Sequence, residues 1–516
     1  MPYDYRRFPY RSPPGLSGPE PRHPVVIVGA GPVGLTLALD LAQRGQRVTV
    51  LDDNDVVSVG SRAICWSKRS LEILDRLGLG ERCVAKGVTW KVGRTYHRDT
   101  QVFEFDLLPE AGHKMPAFVN LQQYYVEEYL AEAALASPLI DLRFRNRVDV
   151  LSVAGDHVQL GVETPEGPYR LEARWLVACD GARSPVRQMM GLDFAGELFE
   201  ERFLIADIEM KADFPAERRF WFEPTFHPGQ SALLHKQPDD IWRIDLQLGW
   251  DADPEAEKRP ERVMARIERV VGHRDFRLDW VSVYTFQCRR LAHFVHGPVI
   301  FAGDSAHVVS PFGARGGNGG LEDAAALGWR LAAVLAGRAE PSLLAAYDRE
   351  RTWGADENIL NSTRSTRFMT PAPGAERLFR DAVLALAAEA DFARPMVNSG
   401  RLSRPCVYPL EAPDDPRLPP GARPGAVAPD APQGNGWLTE ALGTEATLLA
   451  VGAEPPATGL RTLRAEVNEA VADRYLGDAD RALYLVRPDQ VIAARWVAAG
   501  AAEIEAAGRA LWREPA

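Results

Sequence analysis

Three stretches of this chain have residue types and spacing suited to holding a large anionic ligand. The first is Gly29-Ala30-Gly31-Pro32-Val33-Gly34, a GxGxxG run, with Asp52 closing the next apolar stretch. In that pattern Gly29 permits a tight turn, Gly31 lets backbone approach a pyrophosphate, and Gly34 lets a helix lie close on a strand. The acid accepts from ribose hydroxyls. The second is "CDGARSPVR" at 179–187, where Asp180 precedes a glycine turn and Arg183 and Arg187 offer guanidinium groups to anionic oxygens. The third is "VIFAGDSAHVVSPFGARGGNGGLEDAAALGWRL" at 299–331. There Asp304 closes an apolar run and five glycines, Gly313, Gly316, Gly317, Gly319 and Gly320, lead into a helix. Glycine is entropically costly in ordered structure and is kept where backbone bends sharply or approaches something closely. A helix N-terminus favours negative charge, such as a reduced flavin ring carries. Each stretch also has a plain structural alternative: a ligand-free strand–helix turn, an Asp-capped turn and a glycine-rich surface loop. The glycine motif alone does not choose FAD over NAD.

The elements that must position these residues are legible around them. Residues 25–28 form an apolar run suited to a strand buried on both faces. Leu35, Leu39 and Ala42 share a helix face, Gly45 ends that helix, and 47–51 reads as a second strand. Two more apolar strands, 173–181 and 297–304, run into Asp180 and Asp304. Ligands of open parallel sheets sit beyond the carboxyl ends of the strands, so one extended dinucleotide can touch all three stretches. Between 200 and 285 aromatic and polar residues alternate, as in antiparallel strands with one wet face. From 341 to 400 the chain is Ala-rich and helical. A Pro-dense linker follows, then short strands and helices that include a hairpin at 481–496.

Bulk properties narrow the class. The 516 residues allow several domains, and the 46% hydrophobic content supplies ample core. A net charge of −11 argues against a nucleic-acid partner. The five cysteines are scattered without a CxxC, which fits a reducing compartment. The Pro-rich stretch 1–22 has no apolar signal core and reads as a loose arm, and no apolar run is long enough to span a bilayer. A cytoplasmic location is therefore expected. HExxH, GxxxxGK[ST] and GxSxG are absent, as is any His/Cys cluster at ligand spacing, so no metal is expected. "GDSAH" offers Ser305 and His307 as a hydrolase pair, but a nucleophile and base two residues apart rarely align for proton transfer.

Taken in order and spacing, the three stretches resemble the single-component flavoprotein aromatic hydroxylases of the p-hydroxybenzoate hydroxylase type. They are most similar to the subgroup containing phenol and 3-(3-hydroxyphenyl)propionate hydroxylases. The resemblance covers nearly the whole chain. It implies an α/β fold: a Rossmann-like FAD-binding domain (23–195 and 285–400, the latter with a helical linker) and an inserted mixed β-sheet substrate domain (196–284). A thioredoxin-like C-terminal domain (401–516) follows, without dithiol chemistry. FAD is the implied bound cofactor and NADH or NADPH a transient one. The implied reaction uses O2 to hydroxylate a small phenolic or other electron-rich aromatic through a flavin hydroperoxide. A homodimer is the implied assembly, and the alternative activity class is a flavin-binding scaffold without hydroxylase activity.

Residue by residue, "SRAICWSKRSLEILDRLGL" implies that Arg62 contacts FAD, and "QYYVEEYL" that Gln123 (or Gln122) reaches the ribityl region. Asp180 belongs to a motif handling both FAD and NAD(P)H, and Asp304 binds the ribityl chain. Gly316, Gly317 and Asn318 lie against the ring system. Pro311 and Phe312 stand near the flavin, and Trp221 and Phe222 are candidates for an apolar pocket. His235, Arg243 and Tyr284 are candidates for anchoring or deprotonating a phenol, with a structural role the stronger alternative for each, as plain core is the equal alternative for Trp221 and Phe222. The loop departs from the family's Gly-Gly-Gln-Gly-Met-Asn: it reads Gly313-Ala314-Arg315-Gly316-Gly317-Asn318, and the expectation is that Arg315 brings a charge beside the flavin and substrate.

Overall fold

The computed structural model describes residues 3–513 except Ser61, Trp250 and 399–401; the expected domain boundary at 400/401 falls outside the described residues. Apolar runs at Val48–Asp52, His23–Val28, Gly167–Ala178 and Val299–Phe301 form adjacent parallel strands, with Ile140–Phe144 beyond the first of them. The run Val25–Val28 and its neighbours Val50, Leu176, Val177 and Ile300 are fully buried, as a sheet covered on both faces requires. Helix Pro32–Gln43 packs on the sheet and against helix Gly316–Leu335, which is buried along most of its length. The mixed α/β organisation matches the expectation. The carboxyl ends of these strands bring Gly29, Asp52, Asp180 and Asp304 to one crevice.

A second eight-stranded mixed sheet faces that crevice. Its order is His307–Val308, Arg277–Arg290, Ala195–Glu209, Ile241–Gln247, Ser231–Lys236, Arg218–Phe222, Val92–His97 and Thr100–Asp106. The sheet is therefore not confined to 196–284. Two strands come from the preceding segment, and the long strand Arg277–Arg290 carries six residues past that boundary. Its outer face, with Leu204, Trp242, Ile244 and Leu246, packs on helix Pro260–Val271.

The N-terminal arm is a further correction: it is packed, not loose. Phe8 is buried and stacked on Phe144 with centroids 4.6 Å apart, Tyr3 stacks on Tyr124, and the Gly60 N–H donates to the Tyr5 hydroxyl. The aromatic residues between the prolines gain enough apolar burial to outweigh the composition. At the other end, a four-stranded sheet runs in the order Arg461–Ala465, Thr447–Val451, Ala482–Val486, Ile492–Trp496, the last two being the expected hairpin. The tip of that hairpin docks on helices Lys68–Arg76 and Leu344–Met369. Arg487 is bidentate to Glu350 (2.7 and 3.0 Å), and Arg69 donates to the Asp489 carbonyl.

Candidate active site

The three glycines of the first motif occupy three different environments. Gly29 has φ of +106°, and a Cβ there would strike the Cys179 carbonyl; a Cβ on Gly34 would strike the Gly29 carbonyl. A Cβ on Gly31 would meet nothing within 4 Å. The first two glycines are therefore needed by the fold, and the third leaves a space beside a helix N-terminus, where a pyrophosphate fits. Pro32 at the first helical position has no N–H, so Val33 and Gly34 present the donors. Asp52 accepts from the Ala30 and Asn54 backbone N–H groups at 2.6 and 2.8 Å, which fixes its carboxylate at the crevice wall. Burial pushes its pKa up, against the pull of those two N–H groups.

Asp180 caps helix Pro185–Met189 through the Val186 N–H at 3.0 Å, and its other carboxylate oxygen is buried without a hydrogen bond. Arg187 donates to the Ser305 and Ala182 carbonyls and so ties the second motif to the third. Asp304 opens onto the crevice and accepts no hydrogen bond from the described residues. The surrounding protein pushes its pKa up, with His307 and Arg62 pulling the other way. An acceptor held unpartnered here suits the hydroxyl-rich ribityl chain of FAD. The hydrolase pair does not form: Ser305 Oγ donates to the Ala178 and Ala302 carbonyls, and His307 Nε2 bonds Asp323 at 2.7 Å. Asp323 also accepts from the Gly303 N–H and from Arg351. That buried group, absent from the expectations above, sets the turn that carries Asp304.

Helix Gly316–Leu335 begins beside Asp304, with Gly316 nearest it and Gly317 against the Trp66 ring and Ala63. The Asn318 side chain is fully engaged: it accepts from Ser67 N–H and Ser70 Oγ and donates to the Cys65 and Ala314 carbonyls. It fixes the helix N-terminus, and the first-turn backbone N–H groups remain for a ring. Gln123 likewise joins protein to protein, accepting from Ala63 N–H and donating to Ser58 Oγ and Glu127. Gln122 donates to the Pro238 carbonyl. Arg62 is exposed at the crevice rim, and its carbonyl faces Arg243 Nη1 at 3.5 Å.

Arg315 overturns its expectation. It is 3% exposed, and its guanidinium donates to Asn358 Oδ1 and the Leu402 carbonyl. Ala314 takes a left-handed φ of +53°, and Ser403 N–H donates to the Gly313 carbonyl. The loop thus turns its charge into the protein, away from a ring stacked on the glycines. The second correction concerns Trp221 and Phe222. Successive strand residues point to opposite faces, so the two cannot line one pocket. Phe222 is buried in a cluster with Phe203, Phe286 and Phe312, whereas Trp221 stacks on Tyr96 at the other face. Pro311 is exposed at the mouth of the loop, its carbonyl accepting from the Ala314 N–H.

The face of the second sheet toward the crevice has an ordered composition. Cross-strand register aligns Arg218, His235, Arg243, Asp207 and Trp280 in one row. Four residues further along, Phe222, Phe203 and half-buried Tyr284 line an aromatic row. Arg243 is bidentate to Asp207, with both bonds at 2.8 Å; burial disfavours its charge, but Asp207 more than offsets this. His235 is buried and held neutral, first by desolvation and then by Arg218 and Arg243. Arg218, Asp207 and Asp245 were missed, although the alternation in "IWRIDLQ" puts Arg243, Asp245 and Gln247 on one face.

Strand ends carrying Gly29, Asp52, Asp180 and Asp304, next to a polar and aromatic sheet face, are the arrangement of a dinucleotide-binding protein. The model of the FAD binding domain family matches residues 22–362, and the chain belongs to that family. A 12-dehydrotetracycline 5-monooxygenase/anhydrotetracycline 6-monooxygenase from Streptomyces rimosus is 31% identical, covering 93% of this chain and 96% of the relative. A 3-(3-hydroxyphenyl)propionate/3-hydroxycinnamic acid hydroxylase from Mycolicibacterium smegmatis is 29% identical, over 70% of this chain and 64% of the relative. Among solved structures, the OxyS anhydrotetracycline hydroxylase from Streptomyces rimosus is 28% identical with a TM-score of 0.73, covering 96% of this chain and all of that one.

Proposed function

We propose that this FAD-dependent aromatic monooxygenase uses NADH or NADPH and O2 to hydroxylate a phenolic ring held between the flavin and the second sheet. The observation that supports it is the contact between the crevice-side residues and the sheet face bearing Arg243, His235 and an aromatic row: the Arg62 carbonyl lies 3.5 Å from Arg243 Nη1, and Phe312 packs on Phe203 with centroids 4.9 Å apart. Bound FAD supplies the activation of O2 and the oxygen transfer. Gly31 and the Val33 and Gly34 N–H groups hold the pyrophosphate, Asp52 the ribose, and Asp304 the ribityl chain. The N-terminus of helix Gly316–Leu335 favours negative charge on the ring system. Phe312 and Phe222 hold the substrate ring by apolar contact, and Arg243, His235 and Tyr284 orient its oxygen. A relative matched over 93% of this chain is named for tetracycline intermediates, which favours a multi-ring phenol over a single ring. The scaffold alternative loses its motive, because Arg315 is engaged within the protein. The sheet order of the C-terminal region supports a thioredoxin-like domain, and its only nearby cysteine, Cys406, is buried.

The test is NADH and NADPH oxidation by the yellow protein against single-ring and multi-ring phenols, with mass spectrometry of products. A phenol that accelerates oxidation and gains one oxygen atom supports the reading. Bound FAD with no phenol-stimulated oxidation across the panel rejects it.

A further inference from the structure

Residues 402–408 lead into the C-terminal region, and they touch the flavin-binding half of the chain at three points. Ser403 N–H donates to the Gly313 carbonyl at 2.7 Å, and Arg315 donates to the Leu402 carbonyl at 3.2 Å. The Tyr408 hydroxyl accepts from Arg351 Nη1 at 2.8 Å. Arg351 stands on helix Leu344–Met369, is fully buried, and carries this third contact inward. Its Nε donates to Asp323 Oδ1 at 2.5 Å and its Nη2 to the Gly319 carbonyl at 3.1 Å. The second Asp323 oxygen accepts from the Gly303 N–H at 2.8 Å and bonds His307 Nε2 at 2.7 Å. One guanidinium thus joins Tyr408 to the turn that carries Asp304 and to the start of helix Gly316–Leu335.

Tyr408 is itself fixed by the C-terminal region. Its N–H donates to the Gly425 carbonyl at 3.1 Å, and the Gly425 N–H donates to the Ile492 carbonyl at 2.8 Å, at the start of strand Ile492–Trp496. Gly425 has φ of +85°, and a Cβ there would strike the Tyr408 carbonyl, so the two backbones approach closely. The Tyr408 ring packs with Val491 and Val427. A cavity beside it, lined also by Glu322 and Asp489, measures about 20 Å³, room for about one water. The two regions are therefore linked here through protein groups.

We infer that Tyr408 is a positioning residue for the flavin: through Arg351 and Asp323 it sets the turn that carries Asp304 and the N-terminus of helix Gly316–Leu335. This rests on the placement of FAD against Asp304 and goes beyond it, because it gives the C-terminal region a part in holding the cofactor. A guanidinium offers its donors in a rigid planar fork, so an acceptor at one end constrains the bonds made at the other. Bonds from a charged donor in a buried setting are also the strong ones. Without the Tyr408 hydroxyl, Nη1 keeps Glu322 at 3.3 Å as its competing acceptor. The fork then turns toward that carboxylate, and the Asp323 and Gly319 acceptors shift with it.

The experiment titrates apoprotein with FAD, following quenching of flavin fluorescence and the shape of the bound-flavin absorption band. The proteins are wild type, Tyr408→Phe, Asp304→Ala and the double variant. Tyr408→Phe keeps the packed ring and removes the acceptor. It is expected to bind FAD about tenfold more weakly, within the range by which residues along a contact network modulate a distant site, and to alter the absorption band. In the Asp304→Ala background the same change is expected to cost less than in wild type, because the group being positioned is gone. Tyr475→Phe is the control: it removes a hydrogen bond to the Pro429 carbonyl inside the C-terminal region. It should lower the melting temperature yet leave FAD affinity within about twofold of wild type, the limit of independent effects. A silent Tyr408→Phe, an undiminished effect in the double variant, or an equal loss in Tyr475→Phe overturns the inference. If Tyr408→Phe fails to fold, hydrogen exchange of wild type decides: by linkage, FAD should slow exchange at the Tyr408 and Gly425 amides, and no change there overturns it. An Asp304→Ala variant with wild-type affinity overturns the flavin placement as well, whereas a weakened Asp304→Ala beside a silent Tyr408→Phe overturns this inference alone.

Discussion

Gly31 and Gly34 lie three residues apart in one motif, yet substitution should expose opposite defects. Gly31 has φ −76° and ψ −177°, an extended conformation that any residue adopts, and its Cβ would point into open space. Gly31→Val should therefore change apoprotein stability by less than about 1 kcal/mol, the scale of an N-cap preference. The new side chain would occupy the approach of the pyrophosphate to the Val33 and Gly34 N–H groups. Two hydrogen bonds to a charged ligand, each contributing about 1.5–3 kcal/mol, correspond to a loss of about two to four orders of magnitude in FAD affinity. Gly34→Ala instead collides with the Gly29 carbonyl of the adjoining strand. Overpacking of this kind costs about 1–3 kcal/mol, or roughly 2–12 °C in Tm for a domain of 150–250 residues. Flavin absorbance of the purified variants and thermal melts of stripped apoprotein separate the two. The reasoning fails if Gly31→Val copurifies with stoichiometric FAD, or if its apoprotein melts as low as that of Gly34→Ala.

Further substitutions probe other parts of the frame. Asp304→Ala should weaken FAD retention while shifting apoprotein stability by no more than about 0.5 kcal/mol, since that carboxylate has no partner among the described residues; a fully yellow, fully active variant would displace the flavin from this crevice. Phe8→Ala should cost about 3 kcal/mol, because the ring is buried against Phe144; an unchanged melting temperature would return the arm to a loose tail. Asp323→Asn leaves buried Arg351 with only its longer carboxylate contact, to Glu322 at 3.3 Å, and should cost about 3 kcal/mol. Burial raises the Asp323 pKa, but Arg351 and then His307 outweigh it, so the folded value lies below the ordinary one. The stabilisation is thus present above about pH 4 and lost as pH falls through the folded value. The Tm gap between wild type and variant should narrow on acidification, and a gap that widened would refute the assignment.

What was legible in the sequence follows from how far each signal reaches. The crevice is written locally: an apolar strand, a glycine turn and an acid need only their neighbours to be read, and Gly29, Asp52, Asp180 and Asp304 do converge. The orientation of Arg315 is not local. It is set by the left-handed turn at Ala314 and by acceptors 43 and 87 residues away, so an arginine beside glycines says nothing of where its charge points. The N-terminal arm failed for a related reason. Proline content describes the backbone, whereas Tyr3, Tyr5 and Phe8 find their partners on distant elements.

The second sheet lies between these cases. Period two is a local rule, and it already separates Trp221 from Phe222 and joins Arg243 to Asp245. What the rule cannot supply is which face is covered. An alternating strand reads as one dry face and one wet face, and "IWRIDLQ" would ordinarily turn Arg243 and Asp245 to water. The structure buries both faces, because Arg62 and the short strands that carry Trp90 and Asn120 lie against the polar one. A strand whose polar face is buried must have its charges answered by the protein or by a ligand. That demand becomes visible only when the alternation read from sequence is set beside the burial read from the fold.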